Sequence, residues 1–388
     1  MKNIILLTLI FLQVACTPKP GNISSKQIRI ASYNVALFRK AEDGLARDLA
    51  SGNDQQIKNV AAVIQKTNPD VIALLEFDYD PSGKMLDAFQ QNYLAKGQSN
   101  QKPISYPYRL QIPSNTGVLS STDYNKDGKI ELPNDAYGFG KYEGQYAFAI
   151  LSKYPIDEEA LRTYQQFLWK DMPDAKVPLN EDGSPYYSKE TWEEFRLSSK
   201  NHISIPVKIN NDLTIHHLVA HPTPPVFDGP EDRNGKRNFD EIRLLKDYIE
   251  NADYLKDDKG QKGGLSKGEH FVILGDLNAD PLDGDSYNGA INQLLNSPAI
   301  NQEISNGKMI PFSQGGEIYN KKATDKGDPG NDTAFFGARI DYVLPSKSLK
   351  INGSGVFWPA EGEELHEIVK DKGASDHLLV WVDLLIEN

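Results

Sequence analysis

The feature that most restricts the fold of this chain is a set of short apolar runs, each of which stops at a polar residue. Residues 271–274 (Phe-Val-Ile-Leu) lead into Gly275-Asp276-Leu277-Asn278, and residues 71–75 (Val-Ile-Ala-Leu-Leu) stop at Glu76. Unbroken apolar runs of this length are typical of strands that are buried on both faces. The sequence therefore predicts a sheet covered by helices, with carboxylate and amide groups at the ends of its strands.

Similar patterns recur along the chain and predict further elements. Apolar residues recur at helical spacing over 57–64 and 242–249, which predicts amphipathic helices that cover a sheet. Alternating or continuous apolar runs predict strands at residues 28–38, 71–77, 146–151, 202–209, 213–220, 270–274, 340–344 and 378–386. The mixture indicates an α/β or α+β protein.

Neither an internal repeat nor a break in composition divides the chain, so residues 27–388 are expected to form a single domain. The polar segments 98–144, 157–199 and 301–337 are expected to be elaborated loops. Hydrophobic residues make up 39% of the chain, as in ordinary globular proteins. The formal net charge of −12 disfavours binding to long nucleic-acid duplexes, because such binding gains affinity from counterions released by a cationic surface.

The N-terminus has the pattern of an export signal. A positive residue and a short apolar run fill residues 1–15, which we interpret as a signal peptide, and Cys16 follows it. Cys16 is the only cysteine of the chain and its place resembles a bacterial lipoprotein cleavage site, so we expect it to carry lipid and residues 16–26 to form a tether. The protein would then be exported, as an outer-membrane or periplasmic lipoprotein or in an extracellular form. A plain cleaved signal followed by an unmodified thiol is the alternative.

Several strand ends carry residues that suit chemistry on phosphate. Asp276 and Asn278 project from the same side of a strand, about 7 Å apart, so a carboxylate that orients water and an amide that binds a phosphate oxygen would face one space. Taken alone, this tetrapeptide favours an Asx turn that ends a strand. Glu76 and Asn34, at two other strand ends, offer the oxygen ligands that hard cations prefer.

Three further residues extend this set. His221 follows the strand at 213–220 and precedes a proline-rich loop, which bounds that strand sharply. Asp341 is an acid within the apolar strand at 340–344, and His377 stands at the start of the last strand. A carboxylate and an imidazole at neighbouring strand ends can pair, which fixes the tautomer of the imidazole.

Read in order, these motifs resemble the endonuclease/exonuclease/phosphatase superfamily, in a bacterial secreted lipoprotein branch. The resemblance implies the DNase-I-like fold, an α+β protein built as a four-layer α/β/β/α sandwich of two mixed β-sheets flanked by helices. The site would lie at one end of the sheets. The motifs that carry the resemblance are Ser32-Tyr33-Asn34, Leu75-Glu76, His221, Gly275-Asp276-Leu277-Asn278, Ile340-Asp341-Tyr342 and Ser375-Asp376-His377.

The resemblance also implies roles for these residues. Glu76 would be the principal ligand of Mg²⁺ or Mn²⁺, assisted by Asn34 and Asp376. Phosphate hydrolysis needs an in-line nucleophile and compensation of charge on the phosphoryl oxygens. By motif, Asp276 would orient or deprotonate the attacking water, Asn278 and His377 would hold phosphoryl oxygens, Asp341 would polarise His377, and His221 would sit near the leaving group.

The function predicted is therefore divalent-metal-dependent hydrolysis of a phosphoester, a diester or a monoester, by water attack on phosphorus. Lys200 and His202 are candidate substrate contacts from nearby loops. A secreted nuclease, for which nucleic acid would be the substrate, is the second possibility. The third is an inactive binding protein on the same fold. We expect a monomer that contacts the membrane only through its lipid anchor.

A separate motif lies in the first long polar segment. Asp123, Asn125 and Asp127 stand at positions one, three and five of an EF-hand-like calcium loop, in which Lys129 and Glu131 would complete the ligands. The glutamate at position twelve is missing, since Asn134 stands there. A structural Ca²⁺ site and an Asx-rich turn without an ion both remain open.

Overall fold

The computed structural model of the protein describes residues 25–322 and 324–387. The predicted signal peptide, Cys16 and most of the predicted tether lie outside the described residues. Among the helices that are described, none combines the length and the apolar character needed to cross a bilayer.

Two β-sheets form the centre of the molecule. The first has six strands in the order β10-β11-β1-β2-β4-β3, and the second has five in the order β5-β6-β7-β8-β9. The strands of the described residues are β1 (Ser25–Leu37), β2 (Val71–Phe77), β3 (Tyr108–Ile112), β4 (Phe148–Ser152), β5 (Arg162–Thr163), β6 (His202–Lys208), β7 (Thr214–Ala220), β8 (His270–Asp276), β9 (Asp341–Pro345), β10 (Lys350–Val356) and β11 (Val380–Glu387).

Both sheets are mixed. In the first, β1 pairs in parallel with β2, while its pairing with β11 is antiparallel. In the second, β7 and β8 are parallel, and β8 pairs with β9 in the antiparallel sense. The sheets pack face to face, since β1 and β2 lie against β8, and β1 and β11 lie against β9. The apolar residues between them form one continuous core.

Helices flank the two sheets. The described helices are α1 (Gly44–Ser51), α2 (Gln55–Thr67), α3 (Lys84–Phe89), α4 (Lys189–Glu194), α5 (Arg233–Ile249), α6 (Asn292–Leu295), α7 (Gln302–Ser305), α8 (Gln314–Tyr319) and α9 (His366–Val369). Helix α2 begins after Asp54, whose side chain accepts a hydrogen bond from the backbone N–H of Ile57 at 2.9 Å and so satisfies a free donor of the first turn. Helix α5 turns Leu244, Leu245 and Tyr248 toward β6 and β7.

This architecture confirms the predicted α+β fold, a sandwich of two mixed sheets flanked by helices. The eight predicted strands and both predicted helices are present; most ends shift by a few residues, but the helix predicted over 242–249 already begins at Arg233. The sequence analysis did not find β3, β5 and β10. Strand β3 is only partly buried, β5 has two residues, and β10 contains two glycines, so none of them shows a continuous apolar run. The segments predicted as loops contain β3, β5 and several short helices.

Candidate active site

The register of the strands brings the predicted residues to one edge of the sandwich. Asn34 stands opposite Leu75 in the parallel pair β1 and β2, so Glu76 follows directly at that edge. Asp276, the last residue of β8, stands opposite Asp341, the first residue of β9. Because parallel strands end at the same edge of a sheet, β7 also delivers the residue that follows it, His221, to this place.

Asp276 is at the centre of the group. Its Oδ2 atom accepts a hydrogen bond from Nδ2 of Asn34 at 3.1 Å, and it lies 3.4 Å from Nε2 of His221 and 3.8 Å from Nε2 of His377. The other carboxylate oxygen, Oδ1, accepts a bond from the backbone N–H of Asn278 at 3.1 Å. Three nitrogen-bearing side chains therefore converge on one oxygen that is almost fully buried.

His377 is held by a second carboxylate. Its Nδ1 atom lies 2.8 Å from Oδ2 of Asp341, and the hydroxyl of Thr333 donates to the same oxygen at 2.8 Å. The hydroxyl of Ser375 accepts a bond from the backbone N–H of His377 at 3.1 Å and donates to the carbonyl of Asn34 at 2.7 Å. These contacts fix the ring, and its Nε2 side faces Asp276.

Burial and neighbouring charges determine the protonation of these groups. Burial alone would lower the pKa of His377, but the charges of Asp341 and Asp276 outweigh it and raise this pKa to about 10. Burial raises the pKa of Asp276 to about 6 against the opposing charge of His377. Burial, helped by the charges of Lys200 and His377, holds the pKa of His221 well below its ordinary value. At neutral pH, His377 is a cation and His221 is neutral.

Glu76 brings a further carboxylate to the group. One ligand atom from each of Glu76, His221 and Asp276 lies within 4.8 Å of the other two. Glu76 has a left-handed backbone conformation, with φ of 57°, which bends the chain at the end of β2. Burial raises the pKa of its carboxyl above the ordinary value, against the opposing charge of His377.

The donors present suit a divalent cation. Carboxylate oxygens are the ligands that Mg²⁺ and Mn²⁺ prefer, and the Nδ1 atom of the buried His221 and the Oδ1 atom of the buried Asp341 make no hydrogen bond among the described residues. Glu76 would hold the ion, close to the carboxylate of Asp276. Asn34 lies in the site, but its Oδ1 atom accepts a bond from the N–H of Ala36 at 3.1 Å, so its amide nitrogen faces the carboxylates. Asp376 lines the same cleft outside the group of three.

Known protein families include one that this chain resembles over most of its length. The model of the endonuclease/exonuclease/phosphatase family matches residues 31–377. The chain belongs to this family. Members of the family are generally phosphoester hydrolases and typically use a divalent metal. No curated protein matches the chain.

Solved structures of the family resemble the fold at low sequence identity. An endonuclease/exonuclease/phosphatase from Beutenbergia cavernae DSM 12333 has a TM-score of 0.51 and 15% identity over 93% of this chain and 72% of that chain. A family protein from Bacteroides thetaiotaomicron has a TM-score of 0.48 and 13% identity over 94% of this chain and 100% of that chain. A mannosyl-6-phosphatase from Bacteroides thetaiotaomicron VPI-5482 has a TM-score of 0.46 and 13% identity over 92% of this chain and 100% of that chain.

The site opens into a cleft of about 1760 Å³. Of the two candidate substrate contacts, Lys200 lines this cleft and His202 does not. Lys200 lines the cleft and is 8% exposed, and its ammonium makes no ion pair among the described residues. The chain around it is held by Glu241, whose carboxylate accepts bonds from the backbone N–H groups of Ser199 and Thr223, both at 2.6 Å. A buried cation without a protein partner is available to an anionic substrate.

His202 does not face the cleft, contrary to the prediction. Its Nδ1 atom lies 2.6 Å from the hydroxyl of Ser198, and its Nε2 atom lies 2.9 Å from the carbonyl of Glu241. The side chain is 3% exposed and packs between β6 and α5. His202 therefore stabilises the turn that positions Lys200.

Asn278 is placed where a substrate can reach it. Its Nδ2 atom donates one hydrogen bond to the carbonyl of Pro222 at 3.1 Å, and among the described residues its second N–H has no other acceptor. Its backbone has φ of 51°, a value that asparagine tolerates better than most residues.

The predicted calcium loop has the geometry of an Asx-rich turn. The carboxylate of Asp123 accepts bonds from the backbone N–H groups of Lys126 at 2.6 Å and Gly128 at 2.8 Å. The carboxylate of Asp127 accepts a bond from the N–H of Lys129 at 3.0 Å, and the ammonium of Lys129 lies 3.5 Å from Glu131. Asn125 bonds Asp127, at 2.9 Å. No helix flanks the loop on either side within residues 113–168, all of which are described.

Thr333 and Ser375 are site residues that the sequence analysis did not assign. Ser375 belongs to the motif Ser375-Asp376-His377, and its position two residues before His377 could have identified it from the sequence. Thr333 precedes His377 by 44 positions in a polar segment and has no local pattern. Tertiary contacts bring it beside Asp341, since its hydroxyl accepts bonds from the backbone N–H groups of Ile340 at 3.0 Å and Asp341 at 2.9 Å.

Proposed function

We propose that this protein is a divalent-metal-dependent phosphoester hydrolase in which water attacks phosphorus. The observation that carries the proposal is the convergence of His221, His377 and Asn34 on Oδ2 of Asp276, within 4.8 Å of the carboxylate of Glu76. A buried carboxylate among nitrogen donors suits the activation of a water molecule. The family membership supports the same class of reaction.

Each residue has a role that follows from its contacts. Asp276 takes the proton of the attacking water. His377, charged because Asp341 holds its Nδ1 side, donates from Nε2 to a phosphoryl oxygen. Asn278 donates its second N–H to another phosphoryl oxygen, and Lys200 adds a positive charge. Neutral His221 is placed to bond the leaving oxygen. These fixed donors compensate the charge that builds on the phosphoryl oxygens.

A cation held by Glu76 would supply further charge compensation and polarise the phosphoryl group. Asn34 would orient Asp276 by the hydrogen bond from its amide nitrogen, while its amide oxygen accepts a bond from the N–H of Ala36.

The test is turnover by the purified protein with Mg²⁺, Mn²⁺ or Ca²⁺. The substrates are a diester chromogen, a monoester chromogen, plasmid DNA, RNA and phospholipid. We expect hydrolysis that a chelator abolishes and that Asp276→Asn reduces by at least about a hundredfold, because a general base contributes about that much. Asp285→Asn is the matched control, since Asp285 is an exposed carboxylate that lines the same cleft. Turnover that survives the chelator would contradict the metal requirement. Preference for the polynucleotides would identify the nuclease alternative.

We further propose that the protein is exported and held at a membrane by lipid on Cys16. The support is the sequence pattern at residues 1–16. In cells, Cys16→Ser should move the protein from the membrane fraction to the soluble fraction. Retention of this variant on membranes would contradict the anchor.

A further inference from the structure

Three exposed phenylalanines line the cleft. The side chains of Phe139, Phe227 and Phe336 are 58%, 87% and 51% exposed, and all three line the cleft that holds Glu76 and Asp276. Leaving large apolar rings in water forgoes the free energy that their burial would provide. Exposed rings gathered at one opening therefore indicate a contact with another molecule.

The loop that carries Phe227 holds this ring outward. Phe227 has a left-handed backbone with φ of 67°, which residues with a β-carbon rarely adopt. The carbonyl of Val226 accepts a bond from Nδ2 of Asn234 at 2.6 Å, and the carboxylate of Asp228 accepts one from the backbone N–H of Asn234, also at 2.6 Å. Bonds on both sides of Phe227 thus maintain an unfavourable conformation that exposes the ring.

Phe139 is fixed by the glycines on either side of it. A β-carbon at Gly138 would lie 1.7 Å from the carbonyl oxygen of Ser199, and one at Gly140 would lie 2.7 Å from the backbone nitrogen of Gly117. The backbone of this loop is therefore pressed against the body of the protein on both sides. The ring of Phe139, between the two buried glycines, is exposed.

Phe336 is the ring nearest to the catalytic residues. It lies at the tip of a turn closed by the bridge between Ala334 and Ala338, and its ring centroid is 6.0 Å from that of His377. The neighbouring Phe335 packs on Trp358 at 4.7 Å, which anchors the turn while Phe336 faces the cleft. A group bound against Phe336 would be next to a phosphoryl group held by His377.

We infer that these three phenylalanines, the phenylalanine rim, form a subsite for the alcohol part of the substrate. The inference rests on the proposed function. Phenylalanine offers neither a donor nor an acceptor, so the rim selects an apolar group, while the polar floor of the cleft binds the phosphoryl group. The substrate class is thus a phosphoester of an apolar alcohol. Such an ester can be a soluble small molecule or a lipid in a bilayer.

The rim is tested with esters that differ only in the polarity of the alcohol. Hexyl phosphate and glycerol phosphate differ in the polarity of the leaving alcohol, and each variant is compared with the wild-type protein on the same ester. Their methyl diesters extend the pair, with products followed by ³¹P NMR. The variants are Phe227→Asn, in which asparagine tolerates the left-handed backbone, and Phe336→Ser. Ile318→Ser is the control, because Ile318 is 53% exposed and does not line the cleft. Thermal unfolding of each variant verifies the fold.

We expect each rim variant to lower kcat/KM for the hexyl esters by roughly tenfold, equivalent to about 1.4 kcal/mol, and to leave the glycerol esters unchanged. The control should change neither. Equal loss on both esters, or no loss on either, would overturn the subsite while leaving the hydrolase proposal in place. If the wild-type protein hydrolyses polynucleotides but none of the four esters and no phosphatidic acid, the subsite is overturned and the hydrolase proposal stands.

Vesicles of phosphatidylcholine that contain phosphatidic acid distinguish the two sources of the ester. If the substrate is a lipid, the wild-type protein sediments with these vesicles and hydrolyses them, and Phe227→Asn impairs both. If the substrate is soluble, the rim variants affect the hexyl esters alone. Either result supports the apolar subsite.

Discussion

The substitution Asp341→Asn tests the claim that a buried carboxylate keeps His377 charged. The pair is 2.8 Å apart and both side chains are almost fully buried. The rise of the pKa of His377 from 6.5 to about 10 corresponds to an upper bound of about 5 kcal/mol shared among its carboxylate neighbours. Loss of one partner of a buried pair typically costs 3–5 kcal/mol, so we expect Asp341→Asn to lower the free energy of unfolding by about 3 kcal/mol at pH 6.5.

The stability lost in Asp341→Asn should depend on pH, and the loss should become smaller as the pH rises. A histidine whose pKa is higher in the folded than in the unfolded state stabilises the fold fully below pH 6.5, and this contribution disappears as the pH rises toward 10. The difference between wild type and Asp341→Asn should therefore shrink between pH 6.5 and pH 10.

Urea unfolding in buffer with chelator measures the difference, and NMR of the imidazole measures the pKa directly. Thr333→Val is the control, because it removes a hydrogen bond to the same oxygen and keeps the charge. A difference that is constant with pH, or a wild-type His377 that titrates near its ordinary pKa, would refute the reasoning.

Three other predictions concern separate residues. Glu76→Gln should weaken Mn²⁺ binding by at least about tenfold in calorimetry, because a carboxylate is the ligand that the ion requires, whereas Asp285→Asn should not. Lys200→Met should lower kcat/KM about thirtyfold, because the substrate loses a charge-assisted hydrogen bond. The same variant should raise the urea midpoint of unfolding, because it removes a buried cation, and a lowered midpoint would contradict this. Arg162→Met should cost about 3–5 kcal/mol in unfolding experiments, because it leaves the buried Asp257 without its partner at 2.7 Å; a cost below 1 kcal/mol would show that the pair adds little.

Local patterns in the sequence were sufficient to predict the sheets, and the resemblance to the family, carried by residues at the strand ends, predicted the main site. Asp276, Glu76 and His221 each follow a buried apolar strand, and parallel strands bring their ends to one edge. The pairing of Asp341 with His377 was predicted in the same way, and the two side chains lie 2.8 Å apart. The roles assigned to these residues stay predictions that mutagenesis must test.

The features that the sequence did not reveal depend on tertiary contacts. Lys200 and His202 are two positions apart, and only the place where β6 begins determines that the first faces the cleft and the second packs against α5. Asn34 was predicted as a ligand, but its orientation depends on the N–H of Ala36, where the strand bulges. The phenylalanine rim comes from three loops that are distant in sequence, so no periodic pattern of apolar residues predicts it.

The central claim is water attack on phosphorus at Asp276, and hydrolysis in ¹⁸O-labelled water tests it most directly. With Mg²⁺ or Mn²⁺ and the best phosphoester found, we predict that one labelled oxygen enters the phosphate product, that the released alcohol stays unlabelled, and that Asp276→Asn abolishes incorporation while Asp285→Asn does not. Label in the alcohol, or incorporation that Asp276→Asn leaves unchanged, would contradict the account.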